Sequence, residues 1–235
     1  MAAPDRLSIV QIASVARALL ELSNDVVFIG GAIAPLLQTM PVLPRVRPTK
    51  DVDAIMASTS YRDHGSTESR LRELGFRPDF TNASHTHRWI SPSGIVFDLV
   101  PLGDHLASAG GAWDQLALDT AVTSEIEPGL TIRHASGPGF LALKWAAFWD
   151  RGKHDPFKSE DLEDILALIA SREEILDEFG AAAPAVQERI IVGLRWLENH
   201  EEYDDFLAAY LGHASGYSYV AQLVRDRMRA MIASV

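Results

Sequence analysis

The chain has 235 residues, 47% hydrophobic and 8% aromatic content and a formal charge of −11, which is enough apolar material for one large domain or two closely packed lobes and excludes a disordered or fibrous chain. It has no cysteine, so disulfides, thiolate zinc sites and cysteine nucleophiles are excluded and any metal must be held by oxygen or imidazole. No apolar run approaches the roughly 20 residues of a membrane helix, and Asp5, Arg6 and Arg17 interrupt the stretch a signal peptide would need; the expectation is a cytoplasmic protein with no membrane partner.

Residues 5–22 carry Ile9, Ile12, Ala13, Ala16, Leu19 and Leu20 at the spacing of one helical face. Val26 to Ile29 is a short β-branched run ended by Gly30-Gly31 and followed by the helix-like AIAPLLQ, which reads as strand, glycine turn, helix. PVLPRVRP is punctuated by proline and reads as a loop into a strand over 51–56. A helix over 66–74 stops at Gly75, and extended segments follow at 76–80 and 85–91. The turn SPSG at 91–94 then leads into IVFDLVP, an arrangement that favours antiparallel pairing.

From about residue 139 the pattern becomes helical almost without interruption, at 139–150, 159–170, 183–199, 201–211 and 217–233. Residues 155–205 hold 15 acidic and 4 basic side chains, which accounts for the whole excess charge. Residues 45–88 hold eight bases, Arg88 among them, against six acids, so a locally basic surface for an anionic substrate is compatible with the net charge. The fold class that follows is α+β: a small mixed sheet with flanking helices over 1–135, then an all-helical C-terminal lobe over 136–235.

Two features carry chemistry. In a strand over 51–56, Asp51 and Asp53 point the same way, about 6.6 Å apart along the chain. In IVFDLVP, Asp98 stands between Val96 and Val100 on the face opposite Phe97 and Leu99. If the two strands are neighbours, three carboxylates converge; they repel one another, and a divalent cation relieves that repulsion while keeping all three ionised. Gly30-Gly31, where a strand turns into a helix, leaves room for a phosphate to reach backbone N–H groups.

FIGGAIAPLL, RPTKDVDAI and IVFDLVP together resemble the signature of the DNA polymerase beta nucleotidyltransferase superfamily: a GG or GS turn, a D-x-D pair and a third strand aspartate. LALKWAAFWDRGKHDPFKSEDLEDILAL resembles the helical segment of its AbiEii/MenT-like branch, which includes toxins of toxin-antitoxin systems. The resemblance spans about residues 26–170 and implies a nucleotidyltransferase fold. It further implies Gly30 and Gly31 at the nucleotide phosphates, Asp51, Asp53 and Asp98 as ligands of two magnesium ions (manganese being an alternative), Lys144 at the triphosphate and Asp161 at a polar position of the second motif. Two departures stand out: a long gap from Gly31 to Asp51, and alanine at position 32 where a hydroxyl would assist phosphate binding.

The implied partners are a nucleoside triphosphate such as ATP, an RNA acceptor, foremost a tRNA 3′ end, and a cognate antitoxin. A small-molecule or protein acceptor, a phosphohydrolase on the same carboxylates and a partner-binding module on the same fold remain alternatives. Arg47 and Arg151 are further nucleotide-binding candidates, although Lys144 and Arg151 could equally pair with Asp155, Glu160 or Asp161. Asp164 reads as a dipole-complementing acid in a first helical turn. His85 and His87 have metal-ligand spacing without a third imidazole nearby, and Trp145, Trp149 and Trp196 read as core of the helical lobe.

Overall fold

A computed structural model of the chain describes residues 5–40, 49–57, 61–80, 87–102 and 112–234. The chain divides into two compact units: one contains the described residues of Met1–Pro35 and Arg47–Ala135, the other those of Leu36–Val46 and Ser136–Val235.

The first unit is built on a seven-stranded mixed sheet of order β3-β4-β5-β2-β1-β7-β6. Its strands are β1 (Val26–Ile29), β2 (Asp51–Ala57), β3 (Arg77–Pro78), β4 (Arg88–Ile90), β5 (Val96–Leu102), β6 (Val122–Glu127) and β7 (Leu130–His134). β2 pairs antiparallel with β1 and parallel with β5, and β7 runs parallel to β1. The fully buried Val27, Phe28, Val52, Ala54, Ile55 and Phe97 form its core, each large side chain removed from water contributing about 1.5–3 kcal/mol. Helix α1 (Asp5–Leu19) lies against β2 and β6 and buries Ile12, Val15, Ala16 and Leu19. α3 (Tyr61–Glu73) makes the crossover after β2, and α4 (Ala112–Asp119) precedes the β6–β7 hairpin.

The glycine turn leads into helical backbone as expected, in short pieces: Gly31–Ile33 is a 3₁₀ turn and α2 (Ala34–Leu37) has four residues, too short for a strong helix dipole. The sequence pattern does not set out α4, β6 and β7, which complete the first unit.

The second unit is helical: α5 (Gly137–Ala147), α6 (Glu160–Ser171), α7 (Ile175–Ala181), α8 (Pro184–Glu198), α9 (Tyr203–Leu211) and α10 (Tyr217–Ala233). Ser136 and Ser159 cap α5 and α6, their hydroxyls accepting from Gly139 N and Leu162 N, both at 3.2 Å. The carbonyls at the end of α6 are satisfied by Arg227, which donates to Ile169 O and Ala170 O, and by Thr39 N and Met40 N on Ser171 O. α5 and α8 approach closely at Gly193, where an added Cβ would overlap the indole of Trp145. Trp145, wholly buried, continues into a cluster of Phe148, Trp149, Trp196 and Phe206. Among the described residues, no helix is long and apolar enough to cross a membrane.

Candidate active site

Sheet register places the carboxylates. Asp53 on β2 stands directly opposite Asp98 on β5, and Asp98 stands directly opposite Arg88 on β4. The row Ile29, Asp53, Asp98, Arg88 thus crosses four strands, and partners directly opposite in a ladder share one face. Asp51, two residues before Asp53, joins that face at the start of β2, where the Thr49 hydroxyl donates to Asp51 O at 2.8 Å. One oxygen from each of Asp51, Asp53 and Asp98 lies within 4.8 Å of the others. The three side chains are half-buried, and an all-oxygen donor set of this kind suits a hard divalent cation. Each neighbouring position that points to the opposite face is apolar and buried: Val52, Ala54, Phe97 and Leu99.

The sequence pattern left Arg88 among scattered bases, whereas the fold brings it into the carboxylate cluster. Its Nε donates to Asp98 Oδ1 at 2.8 Å and its Nη2 to Asp98 Oδ2 at 2.6 Å, a two-pronged pair. The same Nη2 donates to Asp51 Oδ2 at 3.0 Å. The hydrogen bonds to Asp98 raise the Arg88 pKa above its ordinary value, against the opposing effect of burial, and the charges of Asp98, Asp51 and Asp53 add to the rise. The signal that could have found this residue is the SPSG turn. Closing it with Ile90 opposite Val96 sets Arg88 opposite Asp98.

Gly30 stands beside this cluster. Its φ of 72° and ψ of −171° lie in a region open essentially to glycine alone, and an added Cβ would overlap the Asp53 carboxylate. Gly30→Ala is therefore expected to cost about 1–3 kcal/mol for the backbone alone, with a further loss from displacing Asp53. A lowered urea midpoint would show it; an unchanged midpoint would mean the turn tolerates a side chain. Gly31 follows in the 3₁₀ turn.

Lys144, Arg151 and Asp161 belong to the helical unit. Lys144 is almost fully buried on α5, with Nζ 2.6 Å from Asp164 Oδ2 and 3.1 Å from Asp161 Oδ1. Arg151, in the π-helical turn Phe148–Gly152, grips both oxygens of Asp161 at 2.8 and 2.9 Å. Burial alone would push Asp161 up, but the Arg151 hydrogen bonds and the Lys144 charge pull its pKa below the ordinary carboxylate value. Burial likewise opposes the charge on Lys144, and Asp164 and Asp161 together hold its pKa above the ordinary value. Asp164, read from sequence as a dipole-complementing acid, is thus a direct partner of Lys144. Arg47 and His85 lie outside the described residues. His87 precedes β4, and its carbonyl accepts from Leu99 N at 3.0 Å.

No family model matches the sequence, and no curated protein matches it. Among solved structures, the chain is similar to an antigenic nucleotidyltransferase-like protein from Paracoccidioides brasiliensis, with a TM-score of 0.51 and 19% identity over 87% of this chain and 96% of that one. Looser likenesses are to the antibiotic-resistance factor ANT(2'')-Ia, at TM-score 0.48 and 14% identity over 86% of this chain and 98% of that one, and to JHP933 from Helicobacter pylori, at 0.45 and 14% over 97% and 92%. At such identity a likeness speaks for architecture alone: the chain has a nucleotidyltransferase-like fold of the α+β class, a mixed sheet with flanking helices.

Proposed function

We propose that the protein is a metal-dependent nucleotidyltransferase that moves a nucleoside monophosphate from a nucleoside triphosphate to an acceptor hydroxyl and releases pyrophosphate. The observation that carries this reading is the convergence of Asp51, Asp53 and Asp98 within 4.8 Å on adjacent strands. The fold shared with a nucleotidyltransferase-like protein supports it. Magnesium, with manganese as an alternative, would be held by the three carboxylates. When bound, up to two such ions neutralise charge on the transferring phosphoryl group and make the attacking oxygen more acidic.

The chain's own residues do the rest. The backbone at Gly30 and Gly31 is assigned to the nucleotide phosphates; the Asp53 carboxylate already fills the space of the missing side chain at Gly30, so a phosphate would reach the turn beside that group. The acceptor oxygen forms a bond to the α-phosphorus as the bond to the bridging oxygen of pyrophosphate breaks, and Asp98 accepts the acceptor's proton. Both Asp98 oxygens accept from Arg88, each with a lone pair to spare, so the acceptor hydroxyl can share them with the guanidinium. Lys144, Arg47 and Arg151 supply positive charge to the triphosphate. For Lys144 this means exchanging one of its two carboxylate partners for a phosphate oxygen, and Asp161 holds both Lys144 and Arg151 in place.

We assign a nucleotidyltransferase α/β domain to residues 1–135 and a helical C-terminal lobe to 136–235. The resemblance of the 141–168 segment to the AbiEii/MenT-like branch makes RNA, foremost a tRNA 3′ end, the favoured acceptor, with a role as a toxin held by an antitoxin. Incubation with each α-labelled triphosphate, magnesium and total RNA tests this. Label in RNA is the expected result; label confined to the protein itself or to a small molecule overturns the RNA acceptor and keeps the transferase. Free monophosphate with no labelled acceptor overturns the transferase in favour of a hydrolase.

A further inference from the structure

We propose that Arg88 is a displaceable internal counter-ion, which holds Asp51 and Asp98 together before a divalent cation arrives and must leave both carboxylates when one binds. This rests on the reading of the three aspartates as metal ligands. The fold fixes Arg88 in place: the β4–β5 hairpin puts it directly opposite Asp98, and β2 beside β5 brings Asp51 within reach of the same guanidinium. Among the described contacts it takes both oxygens of Asp98 and Oδ2 of Asp51. A small hard cation would sit about 2.1 Å from its oxygen ligands, and a guanidinium 2.6 to 3.0 Å from the same oxygens would be pressed against it as a second cation. The two cannot share Asp51 and Asp98 without strong repulsion.

Displacement is also physically open to this side chain. It is 20% exposed, on a flexible stem, while the Asp98 carboxylate it grips is 16% exposed. The β-strand holds only its backbone. Arginine rather than lysine is the informative choice: its planar fork matches the two oxygens of one carboxylate, whereas an ammonium offers a point charge. Without metal, this fork offsets part of the repulsion between Asp53 and Asp98, which stand directly opposite one another.

Mn²⁺ binding to the full chain without nucleotide, followed by electron paramagnetic resonance of the free ion, tests the proposal. Arg88→Gln is expected to bind Mn²⁺ about tenfold more tightly or better, since the charge-assisted pairs to Asp98 and Asp51 no longer have to be broken. Arg88→Lys, which keeps the charge and loses the fork, is expected to recover most of that gain. Affinity in Arg88→Gln equal to or below that of the wild type overturns the proposal. So does wild-type affinity in Arg88→Lys alongside a gain in Arg88→Gln, which would reduce Arg88 to a background field.

A thermal melt guards against misfolding as an explanation. Metal-free Arg88→Gln should melt below the wild type, and Mn²⁺ should raise its melting temperature by more than it raises that of the wild type. An equal or smaller rise counts against displacement. Asp51→Asn separates the two layers of inference. If it loses Mn²⁺ while Arg88→Gln gains nothing, only the counter-ion proposal fails; if no form binds Mn²⁺, the metal reading fails with it.

Discussion

Asp51→Asn or Asp53→Asn is expected to lower nucleotidyl transfer on the order of 10³-fold or more: on the proposed reading each carboxylate would hold metal, and its loss would remove several kcal/mol of transition-state stabilisation. The fold should survive. Both side chains sit at the solvent-reaching face of β2 while Val52 and Ala54 carry the packing, so the change opens no cavity. It also removes like charge from a crowded row in which Asp53 faces Asp98 across the ladder. Initial rates with an α-labelled triphosphate, alongside circular dichroism and a thermal melt, check both halves. Full activity in both variants would remove the carboxylates from the chemistry, and an unfolded variant would make them structural.

The second large effect is on stability. Lys144→Met is expected to destabilise the protein by about 3–5 kcal/mol, the usual cost of removing one partner from a buried charged network. Asp161 would keep Arg151, but Asp164 would lose the ammonium 2.6 Å away in a site that is 6% exposed. Urea unfolding followed by tryptophan fluorescence checks this, since three of the five tryptophans, Trp145, Trp149 and Trp196, lie in the helical unit, with Trp145 stacked on Trp149. A loss under 1 kcal/mol would mean that the pair is dispensable to the fold, leaving the triphosphate as its reason to exist.

Acid and base should weaken the same network from opposite sides. Asp161 has a folded pKa below its ordinary 3.8, so its contribution is present above that value and is lost as pH falls through the lower folded one. Lys144 has a folded pKa above its ordinary 10.5; its contribution is complete below 10.5 and is lost as pH rises through the higher folded one. The expected profile is a plateau across neutral pH with losses in strong acid and strong base. Burial also pushes the Tyr203 and Tyr210 hydroxyls up to about 12, so Lys144→Met should make the alkaline loss smaller without abolishing it, and a wild-type profile in that variant would contradict the assignment.

The legible parts of the fold are those where burial writes a pattern. Val26–Ile29, the Asp51 strand and the helices from α8 to α10 show unbroken apolar spacing, and the structure has them within a few residues of the expected bounds. β6 was not legible because Val122–Glu127 is an edge strand with no fully buried residue. Its only signal is the Pro128-Gly129 turn, where Gly129 takes φ of 76° between β6 and β7. α7 is short and acidic, with Ile175 and Phe179 alone fully buried.

At the site, alternation placed Asp51, Asp53 and Asp98 on definite faces, but only sheet order could make two of those strands neighbours. Arg88 shows the limit most plainly. Nothing in its own neighbourhood separates it from Arg70 or Arg72, which pair with Glu73 and Glu68 on the surface of α3; its meaning comes from the hairpin register.

The missing side chain at Gly193 has an effect one residue away from where it is felt. An indole seated in that gap works like a key in a slot, fixing the angle at which α5 can turn about its own axis. Because consecutive helical side chains are about 100° apart, locking Trp145 also sets the direction of Lys144. The aim of a charged group is thus held by a shape that carries no charge at all.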